Sequence, residues 1–288
     1  MDVKYFAPRT IGEACSLLSQ YQEQAKVIAG GTDLVFQMKQ GDILPKYIIN
    51  IRGIPEQDYI IYDDKVGLSI GALATIHSIE DSPLIKEKFN VLAQAANKLG
   101  TPQIRNRATL AGNLCNAAPS ADTIPALIVL DANLKILSTT AERTVSIENF
   151  FIGPGQTILK PDEIVIEIQV PNLPPQSSGV YIKHTIRKAL DLAIVGVAVI
   201  TTLDGEVLSN VRIALGTAAP TPLRAKGAED ILRGKKADEE LIDKAAQTAV
   251  DESSPRDSVR SSAEYRRKML RVLVAKAVRQ AIEQVKAG

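Results

Sequence analysis

The chain has 288 residues, 45% hydrophobic and 23% charged, the composition of an ordinary globular protein and not of a disordered, collagenous or coiled-coil one. Its 34 Lys and Arg balance 33 Asp and Glu, so it holds no global cationic excess of the kind that binds a nucleic-acid backbone. No apolar run nears the roughly 20 residues that span a bilayer, and the opening MDVKYFAPRTIGEA lacks the basic-then-apolar layout of a signal peptide; a cytoplasmic protein with no membrane span is predicted.

In chain order, Thr10 to Tyr21 places Ile11, Ala14, Leu17 and Leu18 at helical spacing behind Thr10 as N-cap. Ala25 to Ala29 reads as a short buried strand that runs into Gly30-Gly31. Thr32 or Asp33 then caps a helical turn through Leu34, Val35, Phe36 and Met38. Strands follow at Tyr47–Ile51, Tyr59–Tyr62 and Val66–Ile70. A helical stretch opens at Ser82-Pro83, carries Leu84, Ile85, Phe89, Leu92 and Ala96 on one face, and ends at Gly100-Thr101-Pro102. Residues 103–125 are polar and weakly periodic, and so long a connection inside a compact protein points to function. Ala126–Asp131 fits helix or strand, while Leu134–Ser138 and Ile164–Val170 alternate as strands. The Pro/Ser/Gly stretch Pro171 to Gly179 marks a domain boundary. Beyond it come strands at Tyr181–Arg187, Ile194–Leu203 and Val211–Gly216, with Asp204-Gly205 as a hairpin signal. Two helices close the chain, Ala237 to Val250 and Ala263 to Val285, the second with Leu270, Val274, Val278 and Ile282 on one stripe. The positive run Arg256, Arg260, Arg266, Arg267, Lys268 and Arg271 reads as the solvated face of an amphipathic helix or as a subunit or acidic-cofactor contact.

Two segments offer chemistry. A pyrophosphate needs backbone N–H groups, approach without a β-carbon and a helix start, and Ala29-Gly30-Gly31-Thr32-Asp33-Leu34 supplies these without being a dinucleotide GxGxxG or a P-loop. A second small-residue turn, Thr109-Leu110-Ala111-Gly112-Asn113, lies in the unexplained connection, with Asp122 nine residues on as an acceptor for ribose hydroxyls. Two cysteines, Cys15 and Cys115, are too few for a cysteine-ligated iron–sulfur cluster, and His77 and His184 read as structural. Redox work on this chain therefore calls for an organic cofactor or for metals on another chain.

AGGTDL at 29–34, IRNRATLAGN at 104–113 and NAAPSADTIPAL at 116–127 resemble the FAD-binding medium subunit of molybdenum hydroxylases, the xanthine dehydrogenase and aerobic carbon monoxide dehydrogenase group. The likeness continues through EIVIEIQVP and YIKHTIRKALDLAIVGVAV to the last helices. It implies an α+β fold: a two-part FAD-binding domain of the vanillyl-alcohol-oxidase type over 1–175, then over 176–288 a small domain with a three-stranded antiparallel sheet plus helices. By the same resemblance, Ala29 to Leu34 with Thr109, Ala111, Gly112 and Asn113 hold the FAD pyrophosphate, and Leu99, Thr101 and Ile104 line the cofactor channel. Asp122 bonds the ribose or neighbouring groups, Val165 packs against the flavin or its chain, and Lys183 lies near the isoalloxazine. The segment Asp191 to Ile194 borders the ring. Many relatives carry Gly-Gly where this chain has Ala111-Gly112, so a methyl there narrows the approach.

The resemblance also implies a division of labour. Molybdenum–pterin chemistry takes place on a large subunit, electrons pass through [2Fe–2S] clusters on a small subunit, and FAD on this chain delivers them to NAD or another acceptor. No metal site and no general acid or base are then expected here. The alternative is a self-contained FAD-dependent oxidoreductase acting on a small substrate.

Overall fold

Short apolar strands alternating with two helices build the first lobe, in a computed structural model that describes residues 3–187 and 190–287. Strand β1 (Lys4–Phe6) leads to helix α1 (Ile11–Tyr21), whose cap is Thr10: its hydroxyl accepts the Glu13 N–H at 3.1 Å. Strand β2 (Ala25–Ile28), helix α2 (Leu34–Gln40) and strand β3 (Tyr47–Asn50) complete a parallel sheet of order β1-β3-β2. Ala14, Cys15 and Leu18 of α1 pack on it with Ile49 and Ile51.

The second lobe is an antiparallel sheet of order β4-β5-β10-β6-β7, made by β4 (Ile60–Asp63), β5 (Gly67–Gly71), β6 (Asn133–Leu137), β7 (Glu142–Ser146) and β10 (Ile164–Val170). A two-stranded ribbon, β8 (Phe151–Gly153) with β9 (Gln156–Thr157), precedes β10. Between β5 and β6 run six short helices: α3 (Ile76–Asp81), α4 (Pro83–Lys88), α5 (Asn90–Lys98), α6 (Pro102–Arg105), α7 (Leu110–Asn116) and α8 (Thr123–Val129). Every residue of α8 is buried, so it runs through the core instead of over it.

The third part is an antiparallel sheet of β11 (Ser177–His184), β12 (Val195–Asp204), β13 (Val207–Gly216) and β14 (Leu223–Arg224), in that order, backed by helices α9 (Lys226–Leu232), α10 (Glu239–Asp251) and α11 (Ala263–Ala287). The hairpin at Asp204-Gly205 is present, with Gly205 at φ +60°. Tyr181, Ala198, Ile200 and Ala214 of this sheet are buried in the same apolar cluster as α5 and α8, so its inner face belongs to the core of the second lobe.

Several expectations are corrected. The irregular stretch 103–125 holds α7 and parts of α6 and α8, each too short for periodicity to register but capped by Thr101 and Thr109. Of Ala126–Asp131, Ala126–Val129 is helix and Leu130–Asp131 turns out of it. The helix from Ser82 breaks at the buried Phe89, whose φ of −136° and ψ of 43° are not helical. The three-stranded sheet gains a fourth, two-residue strand, β14, and β11 begins at Ser177 and stops at His184.

Ion pairs tie the third part to the segments just beyond α8 and β7. Arg212 Nη2 meets Asp131 Oδ2 at 2.6 Å, and Arg224 Nη1 meets Asp131 Oδ1 at 2.9 Å and Glu148 Oε1 at 2.6 Å. The buried Glu229 accepts from Arg224 Nε at 2.8 Å and from the Ile213 N–H at 2.9 Å. Glu229→Ala strands both donors. It should cost about 3 kcal/mol in urea unfolding, the low end for breaking a buried pair, because Arg224 keeps Asp131 and Glu148.

Candidate functional site

The turn between β2 and α2 meets the chain at 107–109 without any side chain between them. A β-carbon on Gly30 would lie 2.2 Å from the Arg107 carbonyl oxygen and 2.8 Å from the Ala108 Cα, so only glycine fits. Gly31 follows at φ +77°, in the left-handed region. This conformation leaves the N–H groups of Gly30, Gly31, Thr32 and Asp33 with no backbone acceptor among the described residues. Successive unpaired N–H groups at a strand-to-helix turn form a concavity for anionic oxygens. Thr32 and Asp33 lie in the turn, but neither side chain caps α2, against the expectation that one would; Leu34 begins the helix.

Across the junction, the Ile76 N–H donates to the Ala108 carbonyl at 2.9 Å and the Leu110 N–H to the Ala74 carbonyl at 3.1 Å. Thr109 caps α7 by accepting the Gly112 N–H at 3.0 Å. A β-carbon at Gly112 would approach that same hydroxyl to 2.7 Å, so Gly112 is required for the cap. The Ala111 methyl is buried in the central apolar cluster, which is where the extra methyl expected to narrow the approach is found. Asn113 Oδ1 accepts from the Thr123 hydroxyl at 2.6 Å, and Gln37 Nε2 donates to Asn116 Oδ1 at 3.3 Å, so α7 is tied to both α8 and α2. A pocket of about 320 Å³ opens beside this junction, walled by Arg52, Leu73, Thr75, Asn106, Arg107 and Thr109 among others, a size found for small-molecule sites.

Three further expected residues lie together on the next turns. Leu99 ends α5 and is nearly buried, Thr101 caps α6 by accepting the Ile104 N–H at 3.3 Å, and Ile104 is exposed. Gly100, at φ +50°, lets the Ile104 side chain fold over it. Arg105 Nε fastens α6 to Glu80 Oε2 at 2.6 Å.

Asp122 and Lys183 form one unit. Lys183 Nζ donates to Asp122 Oδ2 at 2.7 Å and to the Lys98 carbonyl at 3.0 Å, and the Tyr181 hydroxyl donates to Asp122 Oδ1 at 2.7 Å. Both charged side chains are 7% exposed. Burial pushes the Asp122 carboxyl up, while Lys183 and Tyr181 pull it back; burial and the neighbouring carboxylate push the Tyr181 phenol up. Both Asp122 oxygens thus already accept from protein donors, although a carboxylate has capacity for more. Val165 is buried on β10, where the register with β6 shifts between Val165 and Glu167; such bulges are frequent beside binding sites. Asp191 holds its loop by accepting the Arg187 N–H at 2.9 Å, while Lys188 and Ala189 lie outside the described residues.

Tyr181, Thr75 and Arg107 were not singled out from sequence. Tyr181 is two residues before Lys183 on a strand, so the period of two puts both on one face, and that signal was available. Thr75 and Arg107 carry no such signal, because tertiary contact alone brings them to the pocket.

Two family profiles match the chain: "FAD binding domain in molybdopterin dehydrogenase" over residues 1–173 and "CO dehydrogenase flavoprotein C-terminal domain" over 180–281. The putative xanthine dehydrogenase FAD-binding subunit XdhB of Escherichia coli (strain K12) is 32% identical over 279 residues, covering 96% of this chain and 95% of that one. The carbon monoxide dehydrogenase medium chain of Hydrogenophaga pseudoflava is 34% identical over 275 residues, covering 96% and 95%. Among solved structures, the carbon monoxide dehydrogenase from Hydrogenophaga pseudoflava that lacks the Mo-pyranopterin moiety superposes with a TM-score of 0.94 at 34% identity, over 98% of this chain and 97% of that one.

Gly30→Ala should push the turn off Arg107. The expected cost is about 1–3 kcal/mol, as for other overpacked contacts, read by chemical denaturation. Faster amide exchange should be confined to residues 74–76 and 107–110.

Proposed function

The chain belongs to the family of FAD-binding subunits of molybdopterin dehydrogenases, and from that membership we propose that it is the FAD-carrying electron-transfer subunit of a molybdenum hydroxylase complex. Its partners in this reading are a small [2Fe–2S] subunit, which supplies electrons, and a large molybdopterin subunit, where substrate is oxidised. NAD or another acceptor takes the electrons away. No helix among the described residues is long and apolar enough to cross a membrane, and we place the protein in the cytoplasm. The boundary proposed between the two domains is at 175/176.

The observation that carries this reading is the glycine turn: four successive N–H groups without backbone acceptors among the described residues, fixed against the peptide of Arg107. They match a pyrophosphate, which brings anionic oxygens and no donors. Bound FAD supplies the redox chemistry, and the protein supplies placement and tuning. Residues 29–34 hold the pyrophosphate, with Thr109, Ala111, Gly112 and Asn113 shaping the facing wall. Leu99, Thr101 and Ile104 exclude water from the channel, and Val165 backs it. Lys183 brings a buried ammonium, paired with Asp122, toward the ring.

The full chain, purified and incubated with FAD, should retain one FAD per chain by visible absorbance. Gly31→Val, which forces a β-branched residue to φ +77° with Ile28 Cδ1 only 3.0 Å from the new β-carbon, should retain none while keeping its far-UV spectrum. Isolation from the native source should bring two further chains with molybdenum and iron. Turnover of a small substrate by the isolated FAD-loaded chain would favour the self-contained oxidoreductase instead.

A further inference from the structure

Removing a carboxylate and an ammonium from water is costly, and their attraction repays it only when the geometry is good and the remaining donors and acceptors are satisfied. The Asp122–Lys183 pair meets the first condition and leaves the second incomplete. An ammonium has three N–H donors. Lys183 gives one to Asp122 and one to the Lys98 carbonyl, and the third has no acceptor among the described residues. A lysine buried to this depth with a donor to spare is set up for a ligand acceptor.

Tyr181 is held more firmly than core packing requires. Its backbone N–H donates to Gln94 Oε1 at 2.9 Å, and Gln94 Nε2 donates back to the Gly179 carbonyl at 3.3 Å. Its hydroxyl fills the space where residue 196, the register partner of Lys183 on β12, would carry a β-carbon: the gap is 2.9 Å, and the residue is glycine. Strand β12 thus gives up a side chain so that the phenol can reach Asp122. With its ionisation pushed up by burial and by the adjacent carboxylate, the phenol stays a donor.

We propose that Tyr181 is a positioning residue of the flavin site: its hydroxyl locks the Asp122 carboxylate, which in turn holds the Lys183 ammonium still, with one N–H left for an oxygen or ring nitrogen of the cofactor. The inference rests on the FAD reading above and adds to it a residue that acts through two others. A cation fixed beside a redox group favours its reduced, more electron-rich form, and a mobile, hydrated cation does so less. Tyr181 therefore raises the flavin midpoint potential without touching the flavin.

The test uses the full chain loaded with FAD. Tyr181→Phe keeps the ring and removes the donor. It should keep FAD content near the parent's and lower the midpoint potential, measured by dye-linked reductive titration, alongside the modest drop in thermal unfolding temperature expected from an unpaired buried carboxylate oxygen. Lys183→Met should lower the potential further. Combined with Tyr181→Phe it should give no additional shift, because the two residues act in series. An unchanged potential in Tyr181→Phe, or additive shifts in the double variant, overturns the inference, since a purely structural tyrosine moves stability and not potential. If Tyr181→Phe fails to hold FAD, Gly196→Ala displaces the hydroxyl instead. It should lower the potential in the same direction, and an unchanged value there is equally fatal. A parent chain that holds no FAD after reconstitution overturns the functional reading itself, and this inference with it.

Discussion

A peptide carbonyl pressed against a glycine α-carbon joins the two lobes at the site. Arg107 O and Gly30 are so close that a methyl on Gly30 would overlap the oxygen, and unlike a side chain a backbone carbonyl cannot rotate away. This contact sets how far β2 runs before the chain turns and where α2 begins. The adjacent Ala108 and Leu110 are bonded to Ala74 and Ile76, so the glycine turn, the start of α3 and the start of α7 share one rigid junction. Without it the turn would be an ordinary surface loop, and its N–H groups would find water in no fixed arrangement.

The sequence made part of this legible. A strand, two glycines and a helix start are local features, so the turn at 29–34 could be read from spacing alone. The facing segment reads from sequence as an over-long connection with one small-residue turn at 109–113, but its helices do not show. Its helices run for four to seven residues, less than two turns, and their start signals, Thr101 and Thr109, look like any polar loop residues until the N–H groups they cap are in place. Strands β7, β8 and β9 were missed for another reason: they are short, lie at sheet margins and carry polar residues such as Glu142, Arg143 and Gln156. Tyr181 was readable by alternation with Lys183 but lacks meaning until Asp122, 59 residues earlier, is brought beneath it.

Helix α8 explains how the parts are held together. Fully buried, it has an acid just before its first residue, Asp122, and another just beyond its end, Asp131, and each meets cations of the third sheet: Lys183 from β11 at one end, Arg212 and Arg224 from β13 and β14 at the other. Asp122 stands at the favourable, N-terminal end of the helix dipole. Asp131 stands at the unfavourable end, where two arginines offset the repulsion. The two ends differ in purpose. At the Asp131 end, Glu148 and Glu229 take further donors of Arg224. The Asp122 end keeps one N–H in reserve.

That asymmetry bears on how such a chain handles electrons. Burial pushes the Cys115 thiol up to about 12 and raises Cys15 as well, so neither offers a thiolate at neutral pH. Among the described residues no group of three or more His, Cys, Asp or Glu side chains is placed to share a metal ion. On the FAD reading proposed above, the chain's contribution is binding and tuning: backbone donors on the first lobe and the Lys183 ammonium of the third part, across a seam. In that reading, a cofactor reaching from the glycine turn to Lys183 would be held from both sides of that seam. A ligand that binds only the docked arrangement would then stabilise it by mass action, and cofactor affinity and the packing across the seam would be linked.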